Sequence, residues 1–411
     1  MKKIFNYALY DFANSAFTTI IITFIFATYF AKQIAPNPVL GQSYWGWTIG
    51  FTGIVVALIG PYLGYFADKK NQTIFFLRLF TILCILLTSL LFFAKPNQNY
   101  ILYALTIVAL ANIFYELSLI FYNSILKTSS SYNTLGKSSG FSFGLGYVGG
   151  IIILIICIKI FIDSDFPPFG LSLENAENVR ATSVVVSIWY LIFALPFLIF
   201  TKKSKTYFDN NNNNKIKKIK ELIWNKGLNN LGKFLLARML YADGLNAIIV
   251  MGGIFAVGVF NLEIKDLLIL SIFMNITATI GAVIGGFFND KISSKKIIII
   301  SLIGLIISST LILLVESKFL FFIFASINGF FIGPIQSASR VFVTRSIDIL
   351  NQSSGFGLFA LSGKLTSFIG PLLVSTITFL TNSQRIGFST ALILLVLGLI
   401  ILLKVKDDFY S

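Results

Sequence analysis

Histidine is absent from all 411 residues. Zinc sites built on imidazole, Ser-His nucleophile pairs and imidazole proton relays are thereby excluded. Only two cysteines occur, Cys84 and Cys157, both within apolar runs, where a thiol serves as a small hydrophobe. They form no disulfide framework. Charge is scarce as well: 12% of residues are Asp, Glu, Lys or Arg, against about 25% in a typical soluble domain. A phosphate-cradling G-x-x-x-x-G-K-[ST] loop is also missing. Gly357 to Leu365 has one residue too many before Gly363-Lys364 and ends in leucine, and Gly136-Lys137-Ser138 lacks the upstream glycine. Neither nucleotide binding nor any cofactor is expected, which excludes an ATP-driven mechanism.

What the chain has in abundance is apolar length. Hydrophobic residues make up 56% of it, in blocks such as Ile151 to Ile162 and Leu392 to Leu403. A helical run of about 18–20 such residues crosses the roughly 30 Å hydrocarbon core of a bilayer. The 43 phenylalanines, with abundant Lys, Asn and Ile, fit an A/T-rich coding sequence and carry no functional argument. Lys2 and Lys3 followed by an apolar stretch look at first like a signal peptide. That stretch contains Asp11 and Asn14 and runs to about residue 31, too long and too polar for a cleaved leader. It reads as the first span.

Reading by runs predicts about twelve helices. Six lie near 6–31, 45–67, 74–94, 99–123, 138–162 and 183–201, and six near 233–259, 266–288, 296–315, 318–340, 354–380 and 384–404. The expected fold is an all-α membrane protein of two six-helix bundles. Residues 1–201 form the N-terminal bundle, 202–232 a basic cytoplasmic linker and 233–411 the C-terminal bundle.

The formal net charge of +15 would suggest nucleic acid in a soluble chain. Here all but seven of the 32 basic residues (the exceptions being Lys32, Lys95, Lys159, Arg180, Lys265, Lys318 and Arg385) fall at the termini, in one set of alternate loops or at nearby helix ends. By the positive-inside rule both termini are cytoplasmic, and no nucleic-acid partner is expected. Trp45, Trp47 and Trp189 fall at the proposed span ends, as interfacial anchors do. The linker carries Lys202, Lys203 and Lys205, then Asn210 to Asn214, a low-complexity run expected to be flexible. Ile216, Ile219 and Ile223 follow at helical spacing among lysines. An interfacial helix on the anionic leaflet and a solvated linker are both open readings of that segment.

Internal repetition is more informative than any single motif. Gly64-x-x-x-Asp68-Lys69 follows the second span, and Gly286-x-x-x-Asp290-Lys291 follows the eighth. Asp11-x-x-Asn14 in the first span is matched by Asp243-x-x-Asn246 in the seventh. Ser139-Gly140-Phe141 at the fifth is matched by Ser354-Gly355-Phe356 at the eleventh. Each feature returns six helices later, the pattern of transporters whose two halves rock about a central site.

Twelve spans, a basic central loop and G-x-x-x-D-K after spans two and eight resemble the major facilitator superfamily. Both copies of the motif are degenerate beyond the Lys, with Lys70-Asn71-Gln72 in one and Lys295-Lys296 in the other. A narrower resemblance rests on Tyr10-Asp11-Phe12-Ala13-Asn14-Ser15-Ala16-Phe17, which is similar to the YDWANSAY opening of the family of fungal vacuolar amino-acid effluxers and many bacterial relatives. Phe121-Tyr122-Asn123, Gly144-x-Gly146-Tyr147-x-Gly149-Gly150, Tyr241-x-Asp243-Gly244, Ser362-Gly363-Lys364 and Gly370-Pro371-Leu372 follow in that family's order. The resemblance implies the fold and, more weakly, efflux of amino acids.

A charge at the centre of a span costs at least about 2.5–3.5 kcal/mol, so such residues are functional candidates by default. Asp243, near the middle of span seven, shares a face with Asn246. It suits a proton or a substrate ammonium; the bland alternative is a structural pair with Arg238 or Lys364. Glu116, with Asn112 one turn away, has the same two roles open, although the family tends to carry an amide there, which favours a lineage-specific role. Lys364, near the midplane of span eleven, suits a substrate carboxylate or neutralises one of the acids. Asn14 and Asn275 are further cavity candidates, whereas interhelical bonding is the commoner role for in-span amides such as Gln336. Asp11, only a turn or so inside span one, fits a gate or a helix N-terminal position. Asp68 and Asp290, at loop ends, are expected to gate by pairing with basic residues across the cytoplasmic face. The glycines of spans five and eleven are expected to permit close helix packing.

The sequence therefore points to a secondary transporter of a small solute, most plausibly amino acids, working by alternating access in a bacterial inner membrane. Its coupling ion, a proton or another, stays open, and a monomer is expected. A drug or sugar-like cargo, served by aromatics such as Tyr7, Tyr115, Tyr147 and Phe143, is the leading alternative. A non-transporting receptor is a distant third, and no enzyme activity is expected.

Overall fold

The computed structural model describes residues 2–164, 167–201, 215–225 and 227–407. Twelve helices in it are long and apolar enough to cross a membrane: Lys3–Ile34, Leu40–Lys70, Thr73–Phe93, Gln98–Ser124, Tyr132–Ile162, Glu177–Phe200, Asn230–Phe260, Ile269–Ile292, Ser294–Leu314, Lys318–Ser346, Ile349–Thr381 and Gln384–Leu403. They are spans 1 to 12 below. Hydrocarbon offers no partner to a backbone N–H or C=O, so a chain this apolar must satisfy both within helices. The shortest span has 20 residues, about 30 Å at 1.5 Å per residue, enough for the hydrocarbon core. The protein is thus a multi-pass integral membrane protein.

The usual sorting of residues is reversed on these helices. Large apolar side chains such as Leu102, Phe379 and Leu314 stand fully outward, while Asp11, Asn14, Asp68, Asn112, Asp243 and Arg340 are buried. Outward positions meet acyl chains; inward positions meet other helices, where each polar group must find a partner.

Several spans depart from regular helix. Span 1 contains two stretches of widened π-type turns, Phe17–Phe24 and Phe30–Ile34. Span 5 ends in another, Cys157–Ile162. Span 11 is interrupted, as helix Gln352–Lys364 followed by helix Ile369–Thr381. Between spans 6 and 7 the described residues include a short helix, Lys215–Glu221, before the turn into span 7; the lysines at 202, 203 and 205 and the Asn210 to Asn214 run lie outside the described residues.

By contact the chain divides into two compact units. The first comprises Met1–Val56, Asn71–Tyr122 and Leu145–Lys205. Its core is an aromatic stack: Tyr7 and Tyr10 lie 4.3 and 4.5 Å from the ring of Tyr122, and Phe197 closes the stack edge-on. The Tyr10 hydroxyl lies within hydrogen-bond distance of Thr81, Ser118 and Tyr190, at 2.7, 3.1 and 3.1 Å. Tyr7 is therefore a packing residue of this core and not a free wall for cargo.

The second unit comprises Ala57–Lys70, Asn123–Gly144 and Thr206–Ser411. One end of span 2 and the junction of spans 4 and 5 thus pack with the helices of the second sequence half. Elsewhere in this unit Phe234 stacks on Phe342 at 4.0 Å and Phe255 on Phe388 at 4.5 Å.

Trp189 differs from its expected place. Span 6 begins at Glu177, earlier than the apolar run suggested. Trp189 is consequently mid-span, packed at a tilt against Phe12 and Phe193, and its indole N–H donates to the Phe12 carbonyl at 3.2 Å. Asp11 also lies deeper than expected, since helix begins at Lys2.

Candidate functional site

The interruption of span 11 is organised by side chains of span 7. Asp243 accepts a hydrogen bond from the Gly370 N–H at 3.0 Å, in the first turn of the second half-helix. The Asn246 amide donates to the Ser367 carbonyl at 2.7 Å, inside the break. Arg238 donates to the Phe359 carbonyl at 2.6 Å and to the Ser362 hydroxyl at 2.7 Å, its guanidinium 3.4 Å from the Phe359 ring centroid. Of the two bland alternatives, pairing of Asp243 with Arg238 or with Lys364, the described contacts do not include the first: Arg238 is held by the first half-helix and Asp243 by the second. A helix interrupted within the membrane frees backbone groups, which is tolerated only where protein or a cavity surrounds them. Here two polar side chains at i and i+3 on span 7 take up those groups.

Lys364 is the last residue of the first half-helix. Residues 365–368 separate it from the second half-helix, which starts at Ile369. The Thr366 hydroxyl, inside the break, is buried without a hydrogen-bond partner. Asp243, Asn246 and Lys364 thus come together around one discontinuity. Asn275 does not join them through its described bond: its amide donates to Ser271 one turn back on its own helix, at 2.8 Å.

In the first unit a second polar group forms around span 1. The Asn14 amide donates to Asp11 at 3.2 Å, and the Tyr115 hydroxyl reaches Asn14 at 3.5 Å. Span 5 runs close beside it, a Cβ on Gly149 falling 2.5 Å from the Phe12 carbonyl. The Tyr147 hydroxyl is buried and unpartnered. Asn112 of span 4 donates to Thr52 of span 2 at 2.6 Å, an interhelical bond that leaves it less suited to cargo. Glu116 is half-buried on the same span.

The third group sits at span ends within the second unit. Asp68, at the end of span 2, accepts from the Ser353 N–H at 3.0 Å, the Ser354 N–H at 2.7 Å and the Ser354 hydroxyl at 2.6 Å. These are the first N–H groups of span 11's helix, where the dipole favours an anion. Asp290, at the end of span 8, accepts from the Gly136 and Lys137 N–H groups at 2.6 and 2.8 Å, the first turn of span 5's helix. The two G-x-x-x-D copies therefore hold the two equivalent helix starts. Basic partners were expected for both acids. Only Asp290 has one among the described contacts, Arg345 at 3.3 Å, because amides at a helix start supply the positive potential instead.

The motif glycine lets each pair of backbones meet. A Cβ on Gly64 would lie 2.2 Å from the Ser353 carbonyl oxygen, and one on Gly286 would lie 2.5 Å from that of Gly136.

Arg340 was not among the sequence candidates, yet it is 1% exposed. It donates to the Ser139 hydroxyl and carbonyl at 2.9 Å each and to Asn123 at 3.2 Å, and lies 4.2 Å from the Phe143 ring centroid. Phe143 is therefore an arginine platform, not a free cargo wall. Beside it the Lys127 ammonium donates to the Ile347 carbonyl at 2.5 Å. Burial pulls the Lys127 pKa down, opposed in part by Asp348. A run of charges near the end of span 10 looks like ordinary positive-inside sequence, and only the burial of Arg340 sets it apart.

The family model described as "Vacuole effluxer Atg22 like" matches residues 127–408. The chain belongs to the Atg22-like family. Among its relatives is the uncharacterized MFS-type transporter YxiO of Bacillus subtilis strain 168, 24% identical over 98% of this chain and 94% of that protein. Autophagy-related protein 22-1 of Aspergillus fumigatus is 23% identical over 66% of this chain, which spans 48% of the fungal protein. Solved structures share the fold. The proton:xylose symporter XylE bound to 6-bromo-6-deoxy-D-glucose superposes with a TM-score of 0.76 at 12% identity, covering 99% of this chain and 96% of that one. A bacterial homologue of the iron transporter ferroportin, in an outward-facing state, gives 0.73 at 11% identity, covering 98% of both chains. The chain is accordingly a major facilitator transporter of the Atg22-like family.

Proposed function

We propose that this transporter moves amino acids, in the direction of efflux, by secondary active transport in a bacterial inner membrane. The observation that carries the proposal is the break in span 11. Lys364 ends one half-helix, Asp243 sits on the first turn of the other, and Asn246 lines the gap. A carboxylate and an ammonium flanking a mid-membrane discontinuity suit a solute bearing both charges, and half-helix ends at midplane are a recurrent transporter binding device. On the first unit, Asn14, Tyr115 and Tyr147 are proposed to form a polar substrate surface of their own, with Glu116 a second candidate for coupling.

Alternating access would proceed by making and breaking the contacts of Asp68 and Asp290, with Arg340 and Arg345 as partners in the closed arrangement. On the positive-inside reading these contacts close the cytoplasmic side. Asp11 is proposed to act beside Asn14 rather than with this gate.

Counterflow in proteoliposomes preloaded with an amino-acid mixture tests the substrate class, because it needs no imposed ion gradient. Transient accumulation of labelled leucine or another labelled amino acid is expected. Its absence with folded protein rejects amino acids and turns the search to drug or sugar-like solutes.

A further inference from the structure

A second concave site lies away from the break, between spans 8 and 10 of the second unit. It has a volume of about 740 Å³ and is lined by Asp266, Lys318 and a strip of apolar side chains. Along span 10 the lining runs from Lys318 through Phe319, Ile323 and Ile327 to Phe330. Twelve rises of about 1.5 Å along the helix make a groove about 18 Å long, close to the depth of one leaflet, half of the roughly 30 Å hydrocarbon core. The far end closes where the two spans touch backbone to backbone. A Cβ on Gly281 would fall on the Phe330 carbonyl oxygen at 1.9 Å.

The groove is apolar in effect as well as in composition. Its two hydroxyls are taken by backbone carbonyls: Thr277 donates to Ser326 and Ser326 to Phe322, both at 2.7 Å. The side facing away from the helices is open, since Phe319 is 72% and Phe273 52% exposed on helices long enough to lie in a bilayer. An occupant must therefore be a chain of hydrocarbon entering from the lipid.

The mouth is different. Lys318 begins span 10 and Asp266 lies in the first turn of the helix Ile264–Ile292. Lys318 gives one hydrogen bond to the Asn261 carbonyl at 3.1 Å, and one Asp266 oxygen accepts from the Glu263 N–H at 3.2 Å. Each has further capacity, and among the described residues neither forms an ion pair. An ammonium and a carboxylate at the headgroup level match a headgroup that carries both an anion and a hydrogen-bonding cation.

We propose that this groove is a binding site for phosphatidylethanolamine. One acyl chain lies along span 10, the phosphate meets Lys318, and the primary ammonium donates to Asp266. Phosphatidylcholine presents the same phosphate but no N–H to Asp266, and phosphatidylglycerol presents no cation to it at all.

Native mass spectrometry of the detergent-solubilised full chain, with equimolar phosphatidylethanolamine, phosphatidylcholine and phosphatidylglycerol of matched acyl chains, tests this. The ethanolamine lipid is expected to be retained about tenfold more than either competitor, the worth of one charge-assisted hydrogen bond. Asp266→Asn is expected to remove most of its advantage over phosphatidylcholine. Lys318→Gln, which leaves the helix start at Asp266 untouched, is expected to weaken all three phospholipids together. Equal retention of the three lipids overturns the proposal, as does a preference for phosphatidylglycerol or a preference unchanged in both variants.

Discussion

Replacing Asp68 with Asn tests the gate at its most exposed assumption, that one carboxylate holds the start of span 11. The carboxylate accepts at least three hydrogen bonds, two from backbone N–H groups and one from the Ser354 hydroxyl, in a setting only 6% exposed. An asparagine has one acceptor oxygen and turns its NH2 toward an N–H, so at least one bond is lost and another weakened. At about 1.5–3 kcal/mol for a hydrogen bond to a charged group, plus the lost attraction of the helix dipole, the closed arrangement loses about 2–4 kcal/mol. At 1.4 kcal/mol per factor of ten, the population ratio shifts by about 30- to 1,000-fold toward the open arrangement. Pulsed electron spin resonance between labels at Lys70→Cys and Ile349→Cys reads that ratio directly. Both positions are exposed, and the native Cys84 and Cys157 are buried and readily replaced by serine or alanine. Wild type is expected to show a dominant short distance and Asp68→Asn a dominant longer one. Identical distributions for the two proteins would refute the reasoning, because the carboxylate would then hold nothing.

Further expectations follow from single contacts. Gly64→Val places a side chain against the Ser353 carbonyl and should lengthen the same spin-label distance, whereas Gly50→Val, with nothing within 4 Å, should leave it unchanged. Arg340→Lys forfeits the fork that reaches Ser139 and Asn123 together and should lower closed-state stability by about 1–3 kcal/mol, seen as a partial shift in that distance. Asp243→Asn keeps an acceptor for the Gly370 N–H and should fold normally, as judged by thermal melting, while ion-coupled transport is lost; full coupled activity would dismiss the proton-site role. Lys364→Gln should raise the half-saturation concentration for amino-acid counterflow by about tenfold, one charge-assisted bond, and an unchanged value would take Lys364 out of the site.

How far the sequence could be read depended on whether a feature is imposed locally. The spans were legible because lipid demands an unbroken apolar run wherever a helix crosses. The two helix-end acids stood out because Gly64-x-x-x-Asp68 and Gly286-x-x-x-Asp290 repeat six helices apart, but their partners did not. Pattern reading weighs lysines and arginines, whereas Asp68 is held by backbone amides that every sequence possesses. The break in span 11 carries a mark that pattern reading passed over: Pro371 has no N–H for the Ser367 carbonyl four residues back. What could not be read is that Asn246 of another helix takes up that carbonyl and Asp243 the Gly370 N–H. Arg340 was overlooked because cationic residues at span ends are common and only packing shows one to be enclosed.

The construction of the two latches also determines where genetic variation can reach them. A backbone amide survives every substitution except proline, so half of each latch is beyond the reach of ordinary point mutation. A selection for variants biased toward the open arrangement should therefore return an uneven map. Hits should gather at Asp68, Asp290 and the glycines that let the backbones meet, Gly64, Gly136 and Gly286, while Lys137, whose hydrogen bond to Asp290 comes from its main-chain N–H, should accept most side chains.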